Sequence, residues 1–133
     1  MNKTILNPPS LARPSGFSHG IVAEGGRLLF LAGQPGVDAS GTIASPGDLV
    51  AQFTQAMSNL KTVVEAAGGQ MTDIVKMTIY VKDRDGYRAK LKELGVAYRS
   101  FCGKYYPATT LVEINNLFDD DALLEIDAIA VLP

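Results

Sequence analysis

Two carboxylates near the end of the chain are the side chains best suited to acid–base chemistry. Glu125 and Asp127 lie two residues apart in the apolar segment LLEIDAIAVL, residues 123–132, and residues two apart on a strand point to the same face. Glu113 is a third candidate for this face. Partial burial raises the pKa of a carboxylate, which suits general acid–base catalysis. Alternatively, these acids pair with lysines across an interface, and the pattern alone leaves both interpretations open.

A second stretch of interest is YYPATTLVEI, residues 105–114, which begins like a loop and continues as a β-branched run. Two tyrosines and a proline precede Thr109 and Thr110, and the residues that follow are typical of a strand. This junction is either the mouth of a ligand site or only the beginning of a strand, and composition does not decide between the two.

Other reactive side chains are few. His19 follows Ser18, and because neighbouring strand residues point to opposite faces, the pair is not a catalytic dyad. We expect His19 to be structural and Cys102 to be a small buried hydrophobe. With one histidine and one cysteine in the chain, a zinc site built from protein ligands is close to excluded. The glycine-rich GGRLLFLAGQPG matches neither nucleotide-binding fingerprint, so we predict no metal and no cofactor.

Charge and hydropathy exclude further classes of function. The net charge is −2 and the sequence pI is about 5.3, which argues against nucleic acid as the main partner, although residues 82–104 are basic. That segment fits a solvated helix face. No apolar run is long enough for a membrane span or a signal peptide. Together with the single cysteine, this predicts a cytoplasmic protein.

The chain of 133 residues predicts a single domain, residues 1–133. Gly25-Gly26 between apolar runs indicates a hairpin. Ser45 as N-cap, Pro46 at N1 and Asp48 at N3 indicate the beginning of a helix that Gly68-Gly69 closes. The expected elements are strands at 19–24 and 27–32, a helix from Ser45 to Gly68, a strand at 73–83, a helix at 85–103 and strands at 109–114 and 123–132, with a possible short strand at 4–6.

The spacing of apolar residues predicts which faces of these elements are buried. In the first helix they recur at three- and four-residue steps, as one buried stripe does: Leu49, Phe53, Ala56, Met57, Leu60, Val63, Val64 and Ala67. The second helix has a similar stripe, formed by Tyr87, Leu91, Leu94, Tyr98 and Phe101. Alternation in the strand at 73–83 puts one set of apolar residues on one face, namely Val75, Met77, Ile79 and Val81.

The order β-β-α-β-α-β-β predicts an α+β fold in which one mixed sheet carries two helices on one face. On the last strand, the face that contains Leu124, Ile126 and Ala128 suits the helix side. The other face combines Glu125 and Asp127 with apolar residues. A half-apolar face that no helix covers predicts burial against another subunit.

Seven segments, taken in order, resemble the RidA/YjgF family, also labelled the endoribonuclease L-PSP family, from about Gly16 to Leu132. They are SGFSHG, LLFLAGQPGVDASGTI, QFTQAMSNLKTVVEAAGG, DIVKMTIYVKD, AYRSF, YPATTLVEI and LLEIDAIAV. The resemblance implies a chorismate-mutase-like fold and a homotrimer with a small-molecule cleft at each subunit interface. It also implies activity on imines and enamines, because well-known members hydrolyse 2-aminoacrylate-type compounds to 2-keto acids and ammonia.

The resemblance also assigns site residues. In the family, an arginine in a Pro-Ala-Arg motif binds the substrate carboxylate, and a glutamate on the last strand positions water. The arginine position is Thr109 here, and the glutamate is kept as Glu125. A cleft tyrosine becomes Phe17, and a cleft asparagine becomes Gly95. The implied ligand-binding residues are Phe17, Ser18, Gly33, Thr109, Thr110 and Leu111.

Loss of a bidentate arginine contact typically costs a factor on the order of 100 in rate or affinity. We therefore expect an altered substrate, neutral or amide-bearing, unless Arg13 or Arg99 supplies the missing charge. Three functions follow: an imine/enamine-type hydrolase, a trimer that binds a metabolite without chemistry, and a ribonuclease. The last is disfavoured because the chain has no pair of histidines and carries a net negative charge.

Overall fold

A computed structural model describes residues 2–133 of the chain. It contains six strands, three α-helices and a 3-10 turn at Met71–Asp73. The strands are β1 (Asn2–Leu6), β2 (Gly20–Glu24), β3 (Arg27–Pro35), β4 (Ile74–Val81), β5 (Ala108–Glu113) and β6 (Leu124–Leu132), and the helices are α1 (Leu49–Ala66), α2 (Arg84–Ala89) and α3 (Leu91–Cys102).

One mixed sheet organises the molecule, in the strand order β3-β6-β4-β5. β6 runs antiparallel to both of its neighbours, and β5 runs parallel to β4. Helix α1 packs against β3 and β6, and α3 packs beside α1. The predicted α+β class with one mixed sheet is confirmed. Within residues 2–133, none of the helices combines the length and the apolar composition that a membrane crossing requires.

The predicted hairpin of β2 and β3 is wrong. β2 pairs along its whole length with β1, from Asn2 opposite Glu24 to Leu6 opposite Gly20, as a separate two-stranded ribbon. Gly25 and Gly26 do adopt positive φ angles of 75° and 76°, a conformation that glycine reaches at little cost. The glycine pair therefore marked a real change of direction, but it could not specify which strand β2 would pair with.

Helix α1 begins later than the sequence predicted. Asp48 is its N-cap, and its side chain accepts a hydrogen bond from the Ala51 backbone N–H at 3.0 Å. Gly47, with φ of 79°, separates this cap from Pro46, so Ser45 cannot cap the same helix. The apolar stripe is otherwise as expected, although Val63 is exposed. The buried residues of α1 are Gln52, Phe53, Ala56, Met57, Leu60 and Val64.

The predicted helix over residues 85–103 is divided into α2 and α3. Lys90, between them, has φ of −112° and ψ of 15°, which lies outside the helical region. The Asp83 side chain caps α2 by accepting a hydrogen bond from the Gly86 N–H at 3.0 Å. The break leaves Leu91 exposed while Leu94 is buried, so the apolar stripe is interrupted at Leu91.

The two faces of the sheet follow from the pairing of β4 with β6. Ile126 lies opposite Ile79, and Ala128 lies opposite Met77; all four are buried beneath the helices. The predicted helix-side face of β6 is thus confirmed. On β4, a register shift between Ile74 and Lys76 places Ile74 in the core, whereas the sequence pattern predicted Val75 there.

The opposite side of the sheet, here called the outer face, carries Glu125 and Asp127 of β6. These lie opposite Tyr80 and Thr78 of β4, respectively. Phe30 of β3, which lies opposite Ile129, is 70% exposed. Leu28, two residues earlier on β3 and therefore on the same face, is also exposed. Exposed apolar side chains next to each other favour contact with another protein surface. The expectation that another subunit covers this face stays a prediction.

Gln52 links the beginning of α1 to the beginning of β6. Its buried amide Nε2 donates hydrogen bonds to the carbonyls of Ser45, at 2.9 Å, and Asp121, at 3.2 Å, while Oε1 accepts from the Leu123 N–H at 2.8 Å. We predict that Gln52→Leu lowers the free energy of unfolding by about 2–4 kcal/mol, because three backbone groups lose their partners. Urea unfolding measures this.

The matched control is Gln55→Leu, the same change on the same helix. Gln55 is only half-buried, and its side chain donates one hydrogen bond, to Asn59. We expect a loss below about 1 kcal/mol for Gln55→Leu. Equal losses for the two variants would show that the Gln52 hydrogen bonds do not hold this corner of the fold.

Candidate functional site

A cavity of about 560 Å³ opens where α3 passes the edge strand β5 and the loop before β2. Its size is within the usual range for small-molecule sites. Core side chains form its floor, so the cavity is apolar at its base. The floor consists of Phe53, Met77, Ile79 and Leu94, and the walls include Phe17, Leu91, Tyr98, Arg99, Tyr106, Thr109 and Leu111.

The parallel pairing of β5 with β4 decides which residues of YYPATTLVEI enter this cavity. Thr109 lies opposite Met77, and Leu111 opposite Ile79, so both face the helix side and line the cavity. The Thr109 hydroxyl donates to the Pro107 carbonyl at 3.0 Å. Thr110 lies on the outer face, where it accepts a hydrogen bond from Lys76 Nζ at 2.9 Å. The predicted ligand residues Thr109 and Thr110 are therefore on opposite faces.

The loop that carries Phe17 is fastened to the same segment by Ser18. The buried Ser18 hydroxyl donates to the Tyr106 carbonyl at 2.6 Å, and its backbone N–H donates to the Pro107 carbonyl at 3.1 Å. These two hydrogen bonds hold Ser18, and with it the adjacent Phe17, against residues 106–107. His19 packs edge-on against Phe17, with ring centroids 5.2 Å apart, and its Nε2 lies 2.7 Å from the Ala12 carbonyl oxygen. This fits the structural role expected for His19.

Two tyrosines form an aromatic wall of the cavity. The rings of Tyr98 and Tyr106 stack with centroids 5.1 Å apart, and the Tyr98 hydroxyl donates to the Tyr105 carbonyl at 2.5 Å. Burial raises the pKa of Tyr98 well above its usual value and also raises the pKa of the Cys102 thiol. Both groups therefore stay protonated at neutral pH, and neither supplies a base or a nucleophile.

Arg99 is the cation at this cavity. It lies on α3 one turn after Gly95, and its guanidinium lies against Gly95: a Cβ atom there would be 3.1 Å from Nη1. Among residues 2–133, no acid forms an ion pair with the Arg99 guanidinium. Arg13, the other cation that the sequence suggested, is exposed and does not line the cavity. The sequence alone could not choose between Arg13 and Arg99.

Glu125 occupies the outer face, next to Gly33. A Cβ atom at Gly33 would overlap the Glu125 carboxylate, so only glycine allows this approach. Gly33 lies where the register of β3 shifts against β6, between Leu31 and Gln34. The bulge brings the Gly33 backbone against the half-buried Glu125 side chain. The predicted residues Glu125 and Gly33 are thus neighbours.

A second carboxylate, that of Asp127, lies two residues from Glu125 on the outer face. The Tyr80 hydroxyl donates to Asp127 Oδ2 at 3.3 Å. The pKa of Tyr80 is raised, first by the negative charge of Asp127, then by desolvation, with a smaller contribution from Glu125. Tyr80 therefore remains a neutral donor that orients Asp127. In the described part of the chain, no three histidine, cysteine, aspartate or glutamate side chains gather closely enough to hold a metal ion.

Glu113 does not share the face of Glu125. It lies opposite Val81, on the helix side, and its Oε1 accepts a hydrogen bond from the Arg84 backbone N–H at 2.9 Å. Glu113 thus satisfies a free N–H at the beginning of α2, a structural role. Its expected position beside Glu125 is wrong because β5 and β6 do not pair directly and β4 sets the register of both.

Within one chain, the predicted site residues form two separate groups. The helix-side group of Phe17, Thr109 and Leu111 lines the cavity, and the outer-face group consists of Glu125, Gly33 and Thr110. Sequence reasoning missed Tyr80, Tyr98 and Tyr106. The spacing of Gly95 and Arg99, four residues apart on a helix, was the one available signal for the Arg99 contact.

Comparison with known proteins identifies the family. The family model for endoribonuclease L-PSP matches residues 9–132. The chain belongs to this family, the RidA/YjgF family. A RutC family protein from Pyrococcus horikoshii is 36% identical over 96% of this chain and 97% of its own length.

The family includes deaminases. A 2-iminobutanoate/2-iminopropanoate deaminase from Escherichia coli is 34% identical over 98% of each chain. Among solved structures, a Rid protein family member, YyfB from Yersinia pestis, superposes with a TM-score of 0.88 at 33% identity, covering 99% of this chain and 100% of its own. The α+β fold is therefore that of the RidA/YjgF family over essentially the whole length.

Proposed function

We propose that this chain is an imine/enamine-type deaminase that hydrolyses a small molecule at a site completed between subunits of a homotrimer. The observation that carries the proposal is the Glu125 carboxylate, half-buried on an uncovered sheet face and packed against the Gly33 backbone. Similarity to a 2-iminobutanoate/2-iminopropanoate deaminase over 98% of each chain supports the reaction class.

The chemistry needs one positioned carboxylate and one water. An enamine first tautomerises to its imine. Glu125 accepts a hydrogen bond from a water molecule, takes its proton as oxygen bonds to the imine carbon, and returns the proton to nitrogen. Glu125 then takes the hydroxyl proton of the resulting carbinolamine and passes it to nitrogen. The carbon–nitrogen bond breaks as the carbonyl group forms, so that imine and water give a carbonyl compound and ammonia. We expect the backbone N–H of Gly33, at the bulge beside Glu125, to stabilise negative charge that develops there.

A second copy of the chain is needed because the two groups of residues are on opposite faces of the sheet. One subunit would present the cavity with Phe17 and Thr109, and its neighbour would present Glu125 and Gly33. Exposed Leu28 and Phe30 supply apolar area for such contact on the outer face. We propose a homotrimer because this is the arrangement that the family resemblance implies.

The substrate differs from that of relatives with an arginine at position 109. Thr109 is short and uncharged, and the cavity beneath it has an apolar floor. We predict that an imine with a branched apolar side chain is hydrolysed at least about tenfold faster than 2-aminoacrylate, since each buried methylene contributes roughly 0.8 kcal/mol. Imines generated in situ by an amino-acid oxidase, with ammonia release as readout, measure the preference.

An arginine-containing relative, such as the Escherichia coli deaminase, is the matched reference for this assay. Equal rates of the two proteins on 2-aminoacrylate would rule out an altered substrate.

The second candidate function is a trimer that binds a metabolite without turnover, which the uncharged Thr109 favours. Thermal stabilisation by a 2-keto acid, with no ammonia from any imine tested, would support it.

A further inference from the structure

We propose that Arg99 holds the carboxylate of the ligand from helix α3, in place of the arginine that position 109 lacks. The inference rests on the proposed site and names its ligand class: a small carboxylic acid with a bulky apolar body. It replaces the neutral ligand that the sequence suggested.

In the described part of the chain, the cavity presents a single charged side chain to a ligand. Among the described residues that line it, Arg99 is the only charged one, and no acid is present. An anion that enters the cavity therefore meets one positive group and no carboxylate. A planar guanidinium can bind a carboxylate through two parallel hydrogen bonds. The Arg99 donors are available for this, since no described acid pairs with them.

Gly95 provides the space in which the Arg99 guanidinium lies. Any side chain at position 95 would begin 3.1 Å from Arg99 Nη1 and 3.7 Å from Nη2. That is tight for a carbon atom, so a larger residue would push the guanidinium away from its present position. Gly95 stands where the family resemblance places an asparagine. The absence of a side chain at position 95 thus allows the Arg99 guanidinium, one turn later, to lie at the cavity.

The surroundings of Arg99 suit a ligand with an apolar body. Phe17, Leu91 and the stacked pair Tyr98–Tyr106 surround Arg99 with apolar and aromatic surface. A ligand whose carboxylate is bound by Arg99 would place the rest of its structure against this surface and the apolar floor. A branched or aromatic body fills such a cavity better than a methyl group does. Arg99 is solvent-exposed, so its attraction for the acid should weaken as salt is added.

The test compares two probes that share one body, 4-methyl-2-oxopentanoate and its uncharged amide, by calorimetric titration of the full chain. We expect the wild-type protein to bind the acid about 10- to 100-fold more tightly than the amide. Arg99→Gln should remove most of this preference, and Arg99→Lys should keep part of it. Gly95→Asn should reduce it by displacing the guanidinium.

Arg88→Gln is the matched control, because Arg88 is also exposed and does not line the cavity; it should keep the full preference. Circular dichroism confirms that each variant is folded. Equal wild-type affinity for acid and amide, or an unchanged preference in Arg99→Gln, would overturn the inference. Because the assay measures binding alone, a protein that binds the acid through Arg99 yet hydrolyses no imine would refute only the proposed function.

Discussion

Replacement of Glu125 by glutamine is expected to lower the rate of imine hydrolysis by about 100- to 10,000-fold, the usual contribution of a general acid–base group. Glutamine has nearly the same shape and would still fit against Gly33, but its amide cannot accept a proton from water. Ligand affinity should change little, because the cavity and Arg99, which bind the apolar body and the carboxylate of the ligand, come from the neighbouring subunit and are unchanged. Ammonia release and calorimetric binding separate the two effects.

The matched control is Asp127→Asn, two residues along the same face. Asp127 accepts a hydrogen bond from the Tyr80 hydroxyl, so its removal disturbs the surroundings of Glu125 without removing the base. We expect a loss of less than about tenfold for this variant. If Glu125→Gln retains wild-type turnover, Glu125 does not position or activate the water, and the mechanism proposed for this face is wrong.

Replacement of Phe30 by aspartate is expected to dissociate the oligomer into single chains and therefore to abolish turnover. Phe30 is 70% exposed on the outer face, and a charge buried in a subunit interface without a partner costs several kcal/mol. The free chain should remain folded, since the Phe30 side chain contributes little to the core of one subunit. Size-exclusion chromatography with light scattering measures the change in mass.

Phe118→Asp provides the comparison for Phe30→Asp. Phe118 is fully exposed in the loop between β5 and β6, so the same substitution there should leave both mass and turnover unchanged. A Phe30→Asp variant that keeps the wild-type mass would show that the outer face is not the subunit interface. A dispersed variant that keeps full turnover would show that one chain holds a complete site.

The fold could be predicted where local pattern and long-range packing agree. Alternation in β6 identified its buried face, and the three- and four-residue spacing in α1 identified its core stripe. The prediction failed where pairing between distant segments decides. The pairing of β2 with β1 and the register shift at Ile74 both depend on which strands become neighbours. The sequence of one segment does not specify its neighbouring strand.

The candidate site shows the same division. The family resemblance supplied Thr109, Phe17 and Glu125 as separate positions, and each lies on an element where a ligand site is plausible. Thr109 and Glu125 point to opposite faces because Thr109 of β5 lies opposite Met77 of β4. No local motif specifies that register. The contact of Arg99 with Gly95 could not be predicted from the sequence either, because helical spacing brings two residues close without fixing a side-chain conformation.

The most direct test of the account is complementation between two inactive variants. Thr109→Trp should fill the cavity whatever the charge of the ligand, and Glu125→Gln should remove the base. If each site takes its cavity from one subunit and its carboxylate from another, co-refolding the two variants in equal amounts restores about one quarter of the wild-type activity by random assembly. Activity of the mixture no greater than that of the separate variants would contradict a site shared between subunits.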